Sequence, residues 1–243
     1  MIIDSHEHLG DTRVFDLVID EEELMGALDQ NHVDIALVLP FPGSNEPAIH
    51  DRIAGLAEKH RKRIYGVVSL DPHIDEDKYY QEVERCVKDL KFVGLKVHPL
   101  GHACVLASKD ADKIFQAAQD FDIPLIIHTG IGVPLTLPSV IIPRAKQFPR
   151  VKIVMAHSGA YVYTSEAFVV AAECPNVFLE TSWCAPHHIK RLVNQFGAQR
   201  VMFASDLPSN MASELAKYTS IGLSSAQLEQ CLSGTAREVF KLL

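Results

Sequence analysis

The sequence predicts a (β/α)8 barrel of the TIM type, forming one domain over residues 1–243. Three observations predict it. Eight short apolar runs alternate with segments of helical pattern, as in parallel sheets covered by helices on both faces. The chain has 243 residues, close to the roughly 250 typical of such barrels. No Gly-x-Gly-x-x-Gly follows an early strand, as an open dinucleotide-binding sheet would require.

The first run, Met1 to Gly10, carries Ile2 and Ile3 straight into Asp4-Ser5-His6-Glu7-His8. A polar connection follows, and Ile19 to Leu28 begins a helix with carboxylates in its first turn. Asp34 to Leu39 is the second strand, closed by Pro40-Phe41-Pro42-Gly43, with a helix over about Glu46 to His60. Ile64 to Leu70 is the third strand, and the helix over Asp75 to Leu90 leads into the fourth, Phe92 to His98. Asp110 to Phe121 is helical, and Ile123 to His128 is the fifth strand. A Pro-rich turn and a helix over Ser139 to Gln147 precede the sixth, Val151 to His157. Helices over Ser165 to Glu173 and His187 to Phe196 flank the seventh strand, Val177 to Thr181. The eighth is Arg200 to Ser205, and Ser224 to Leu243 is a closing helical region.

Composition narrows the partners. The formal charge of −8 speaks against nucleic acid or an anionic membrane, since both call for clustered Lys and Arg. A small-molecule substrate remains, and a homodimer is compatible with it. The five cysteines are scattered, with no Cys-x-x-Cys, which fits free thiols in a reducing compartment. No apolar run approaches the ~20 residues that span a bilayer, and no signal peptide is visible. The expectation is a cytoplasmic protein.

In parallel barrels the chemistry sits at the C-terminal ends of the strands. There this sequence places His6 and His8, Lys96 and His98, His128, His157 and Asp206. Residues two apart on a strand face the same way, so His6 and His8 can aim two imidazoles at one point, and Lys96 shares a face with His98. Imidazoles so paired suit Zn and other divalent ions. Plainer readings exist: Asp206 before Leu-Pro could cap a helix, and His157 before Ser-Gly could bond backbone. Asp71, Glu180, Trp183, Cys184 and Arg13 are further rim residues for which loop packing or capping is the plainer role.

Asp-Ser-His-Glu-His at the start, Ile-Ile-His-Thr-Gly at 126–130, Met-Ala-His-Ser-Gly at 155–159 and Ala-Ser-Asp-Leu-Pro at 204–208 resemble the amidohydrolase superfamily. Its nearest branch includes metal-dependent decarboxylases as well as hydrolases, and Leu232 to Phe240 resembles that branch's last helix. The resemblance implies that His6, His8, His128 and Asp206 bind one divalent metal, Zn first, with Mn or another ion as alternatives. Asp206 would also take a proton from metal-bound water, and His157 would polarise or protonate the substrate.

Lys96 decides the number of ions. A strand-4 lysine is carboxylated in binuclear members, and His157 would then become a ligand of a second metal, so Lys96, His98 and His157 are candidates for second-metal or substrate binding. Here His98 and Pro99 follow Lys96 and set it deeper in the barrel, so one ion is favoured and Lys96 or His98 would anchor an anionic substrate group. The expected activity is metal-dependent hydrolysis of a small amide, lactone or ester. The alternatives are non-oxidative decarboxylation of an unsaturated or aromatic acid at the same site and, from another class, a catalytically inactive binding barrel.

Overall fold

The structure, a computed structural model, describes residues 1–12 and 15–242. Arg13 therefore lies outside the described residues. Nine strands are present among them: β1 (Ile3–Thr12), β2 (Leu17–Ile19), β3 (Ile35–Pro40), β4 (Ile64–Ser69), β5 (Gly94–Val97), β6 (Leu125–His128), β7 (Ile153–Ala156), β8 (Val177–Glu180) and β9 (Val201–Met202). Their order is β2-β1-β3-β4-β5-β6-β7-β8-β9. All pairs are parallel except β1–β2. A parallel bridge between Glu7 and Asp206, with Asp206 N–H donating to the His6 carbonyl at 2.9 Å, joins the last strand's end to the first. The sheet thus closes on itself as the (β/α)8 barrel, its eight parallel strands matching the eight apolar runs.

The helices are α1 (Glu21–Gln30), α2 (Glu46–Lys59), α3 (Glu76–Lys88), α4 (Lys109–Asp120), α5 (Ile142–Gln147), α6 (Thr164–Glu173), α7 (Pro186–Phe196), α8 (Met211–Ser220), α9 (Ser225–Glu229) and α10 (Thr235–Val239). Local chemistry starts several of them. Asp20 caps α1 through the Glu23 N–H at 2.8 Å, ahead of Glu21, Glu22 and Glu23 in the first turn. Ser224 and Gln227 form a reciprocal capping box on α9.

Alternation along the strands separates two apolar layers. Leu95, Leu125, Ile127, Ile153, Met155 and Leu179 pack outward with the helices. Leu37, Leu39, Val67, Ile126, Val154 and Met202 face the barrel axis, where Val239, Phe240 and Leu242 join them from the C-terminal end. By the same period, Lys96 and His128 continue the inward-facing sets of β5 and β6 toward the rim.

β1 breaks its own alternation. Ile3 belongs to the inner layer, whereas Leu9 belongs to the outer one. That is consistent only if the strand changes phase, and the β1–β3 register does shift between Asp4 and Glu7. Such a bulge moves subsequent side chains to the opposite face. The Asp4 carboxylate takes up the His6 N–H at 3.2 Å and the Ser205 N–H at 3.1 Å. His6 and His8 are turned inward by this bulge.

Three features depart from the sequence reading. The connection after Gly10 is an antiparallel hairpin, with Gly10, Asp11 and Thr12 paired to Ile19, Val18 and Leu17. Helix α8 occupies a stretch that carried no assignment. The closing helix is broken by a π-turn over Gln230–Gly234. All five cysteines are free and buried, as their scatter suggested. No described helix is long and apolar enough to cross a membrane.

Candidate metal centre

The strand ends converge on one small volume. His6 Nε2 lies 3.2 Å from His8 Nε2, and Asp206 Oδ1 lies 3.4 Å from the first and 3.5 Å from the second. Bonds of about 2.1 Å to one ion separate neighbouring ligand atoms by about 3.0 Å at right angles and about 3.4 Å at the tetrahedral angle. The observed spacings would let these three donors share one ion. Lys96 Nζ stands 3.0 Å from His6 Nε2. The long side chain brings this residue to the centre, although its Cα sits deeper.

Hydrogen bonds assign the lone pairs. Glu180 Oε2 lies 3.1 Å from His6 Nδ1, so that nitrogen carries the proton and Nε2 presents a lone pair. His128 Nε2 lies 3.0 Å from the Ile131 carbonyl, which likewise leaves Nδ1 as the acceptor. His8 Nδ1 is buried without a hydrogen-bond partner. His6 Nε2 and His8 Nε2 converge on Asp206 Oδ1, the Lys96 ammonium reaches His6 Nε2, and His128 Nδ1 is met by His157 Nε2. The donor set fits a divalent cation.

His128 and His157 take different places than a simple four-ligand set would give. His6, His8 and Asp206 offer atoms all within 4.8 Å of one another, a group that does not include His128. His128 Nδ1 instead lies 3.1 Å from His157 Nε2, and His157 Nε2 lies 3.9 Å from Asp206 Oδ1. His157 is thus the imidazole between His128 and the carboxylate. His98 stacks on His128 with ring centroids 3.7 Å apart.

Burial sets the charges. It pushes His6, His8, His98 and His128 below the usual imidazole range, with the Lys96 charge adding to the effect, and it holds His157 down to about 4. All five are neutral near pH 7, the state in which imidazole binds metal. Burial also brings Lys96 down to about 8, against the pull of Asp206 and Glu180. Burial alone would raise Asp206, but His157, His6 and His8 outweigh it and the carboxylate stays ionised.

Glu180 is the residue that sequence reasoning undervalued. Besides His6, it accepts the backbone N–H of His157 at 3.0 Å and that of Ser182 at 2.5 Å. It is fully buried and acts as the brace behind two imidazoles. Its position at the C-terminal end of β8, on the face that looks inward, was the available signal. Trp183 was also undervalued, for its indole N–H donates to Asp206 Oδ2 at 2.8 Å. His157, Trp183 and Asp206 all have left-handed backbone, with φ of 64°, 62° and 70°. Strain of this kind, roughly 1–3 kcal/mol per residue, concentrates at functional sites.

Other rim residues have structural employment. Asp71 lies on the β4–α3 loop, where its carboxylate accepts the His73 N–H. Cys184 is buried, its thiol pushed up to about 12 by burial and by Glu180, so it is no nucleophile. Outside the barrel mouth, His50, Glu82 and Cys86 also cluster. Their atoms are already used: His50 Nε2 accepts the Ser69 N–H, and Arg85 grips Glu82 with two bonds of 2.8 Å.

Above the centre lies a pocket of about 260 Å³. Its floor is His8, Lys96, His98, His128, His157 and Asp206; its walls include Phe15, Leu17, Phe41, Leu100, Ile131 and Trp183. The chain belongs to the amidohydrolase family, which residues 44–242 match. The match begins beyond β3, so the His6/His8 pair lies outside it. Solved structures extend the likeness to the full chain. A manganese-bound 5-carboxyvanillate decarboxylase from Novosphingobium aromaticivorans superposes with TM-score 0.81 at 18% identity, covering 100% of this chain and 96% of that one. A manganese-bound dihydroxybenzoic acid decarboxylase from a Polaromonas species gives 0.78 at 18%, covering 99% and 97%. A probable 2-pyrone-4,6-dicarboxylic acid hydrolase from Acinetobacter baumannii gives 0.72 at 12%, covering 99% of each. At these identities the likeness concerns the fold.

Proposed function

We propose that this protein is a metal-dependent decarboxylase of a compact aromatic or unsaturated carboxylic acid. The observation that carries the reading is the contrast within the pocket: flat apolar walls above a floor of imidazoles, one ammonium and one carboxylate. Phe15, Phe41 and Trp183 place aromatic rings in the wall beside a planar substrate, and Leu17, Leu100 and Ile131 add apolar surface around it. Lys96 is the floor's one positive charge, and a bound divalent ion would add to it, as a carboxylate needs when it leaves water. The solved structures of similar fold that act on hydroxylated benzoic acids support the same class. This choice reverses the order of the sequence expectation, which placed hydrolysis first.

His6, His8 and Asp206 would hold the ion, with His128 and His157 beside them. When bound, that ion supplies a second positive charge for the substrate carboxylate, Mn being favoured over Zn by the similar structures that contain it. Lys96 adds its own charge at 3.0 Å from His6. Decarboxylation replaces a carbon–carboxylate bond with a carbon–hydrogen bond and releases CO2, so one proton is consumed, supplied by water and relayed to the carbon by the floor. Asp206 Oδ1 and His157 Nε2, 3.9 Å apart, are the two groups placed to pass it.

Hydrolysis is the second reading, and the position of Asp206 Oδ1 beside His6, His8 and His157 favours it, since a carboxylate there can take the proton of an attacking water. The test is product analysis. Protein loaded with Mn or Zn is incubated with hydroxybenzoic and unsaturated acids, and separately with small amides and lactones. Release of CO2 with a proton gained at carbon supports decarboxylation. Amine or acid release without CO2 makes the protein a hydrolase, and neither product with metal bound points to a binding barrel.

A further inference from the structure

The loop after β5 is built around His98. His102 N–H donates to the His98 carbonyl at 2.8 Å and Cys104 N–H to that of Pro99 at 2.8 Å, which folds Pro99–Cys104 back over the strand end. The Gly101 N–H then reaches His98 Nδ1 at 3.1 Å. Only glycine fits there: a Cβ at position 101 would lie 2.4 Å from Pro42 Cγ. The His98 N–H in turn donates to His102 Nδ1 at 3.2 Å, and His102 Nε2 faces Glu46 Oε1 at 3.4 Å.

These contacts decide which nitrogen of His98 holds the proton. A backbone N–H can bond Nδ1 only if Nδ1 carries a lone pair, so the neutral ring has its hydrogen on Nε2. Among the described residues Nε2 makes no hydrogen bond, and the ring lines the pocket. Coordination through Nε2 would require the proton to move to Nδ1, where it would confront the Gly101 N–H. His98 is thereby unsuited to a metal, which answers one of the two roles its spacing allowed.

We propose that His98 is a specificity residue whose Nε2–H donates to an anionic or phenolic oxygen of the bound acid. Its ring is stacked on His128 with centroids 3.7 Å apart, and Phe15 lies 5.4 Å away. The donor is therefore preorganised, and it selects acids that carry an oxygen beside the carboxylate. The assignment rests on the pocket being the acid-binding site argued above.

The tautomer is read first, on wild-type protein, from long-range 1H–15N spectra of the imidazoles. A neutral Nε2–H ring at His98 is expected; a proton on Nδ1 overturns the proposal whatever the activity. Binding of 2-hydroxybenzoate and benzoate to Mn-loaded protein is then compared in wild type, His98→Gln and His98→Phe. Gln places an amide N–H near the Nε2 position, whereas Phe keeps the stack and removes the donor. The Phe variant is expected to bind 2-hydroxybenzoate about 10- to 100-fold more weakly, the size of a hydrogen bond to a charged group. The Gln variant should recover most of that loss, with metal content unchanged in both. Equal binding by Phe and wild type, loss of metal in either variant, or no binding of either acid by wild type overturns the proposal. If no acid releases CO2 while the tautomer and the binding pattern hold, the decarboxylase reading fails and this assignment stands.

Discussion

Trp183 and Asp206, at the ends of adjacent strands, are tied by an indole N–H to carboxylate bond of 2.8 Å. The bond occupies Oδ2 and leaves Oδ1 turned to His6, His8 and His157. Both residues hold left-handed backbone to make it. Partners of this kind orient a ligand, and losing one typically costs about 10- to 100-fold in metal affinity or activity. Trp183→Phe keeps the ring in the wall and removes the N–H. Its metal dissociation constant, measured by competition with a chelator, should rise by about that factor while the circular dichroism spectrum stays unchanged.

Glu180 braces His6 through Nδ1 and receives two backbone N–H groups. In Glu180→Gln the side chain keeps a single acceptor oxygen, and its NH2 must face one of three donors. The expected result is a drop of about 1–3 kcal/mol in unfolding free energy, together with weaker metal binding. Denaturant unfolding with and without metal separates the two effects, because the stability loss persists in chelator.

His128 and His157 can be told apart by metal content. His128→Ala should lower both rate and metal affinity, since the family resemblance implies it as a fourth ligand and its Nδ1 holds His157 Nε2 at 3.1 Å beside the other three. His157→Ala should lower the rate while the ion stays bound to His6, His8 and Asp206. Elemental analysis of the two purified variants checks this, and metal lost from His157→Ala would make that imidazole a ligand.

Away from the site, Glu82 gives stability a pH dependence. Burial tends to raise its pKa, but His50 and Arg85 outweigh burial and bring it from 4.5 to about 2. The folded state therefore binds fewer protons than the unfolded state between these values. The contribution is complete above pH 4.5 and fades as pH falls toward 2. Glu82→Gln should unfold more easily at pH 6 by about 1–3 kcal/mol, with the difference from wild type shrinking below pH 4. Urea titrations at pH 6 and pH 3 check the sign.

Much of this was legible in the sequence. Apolar runs such as Ile123 to Ile127 can be covered on both faces only in a helix-wrapped parallel sheet, and the polar residue ending each run then falls at the rim. What could not be read came from three-dimensional accommodation. The β1 bulge that turns His6 and His8 inward depends on Asp4 meeting Ser205, about 200 residues away in the chain. Leu17 and Val18 pair with Thr12 and Asp11 across a connection whose polarity suggested no strand. Glu180 looked like one more carboxylate near a strand end; its importance lies in which three donors surround it. Lys96 was judged by the depth of its Cα, whereas its reach is set by a four-carbon stem.

The central claim is that His6, His8 and Asp206 share one divalent ion. Its most direct test is metal analysis of wild type and Asp206→Ala, both loaded with Mn and passed through a desalting column. Close to one equivalent in wild type and almost none in the variant is the predicted result. Wild type free of metal, or a variant that retains the full equivalent, would contradict it.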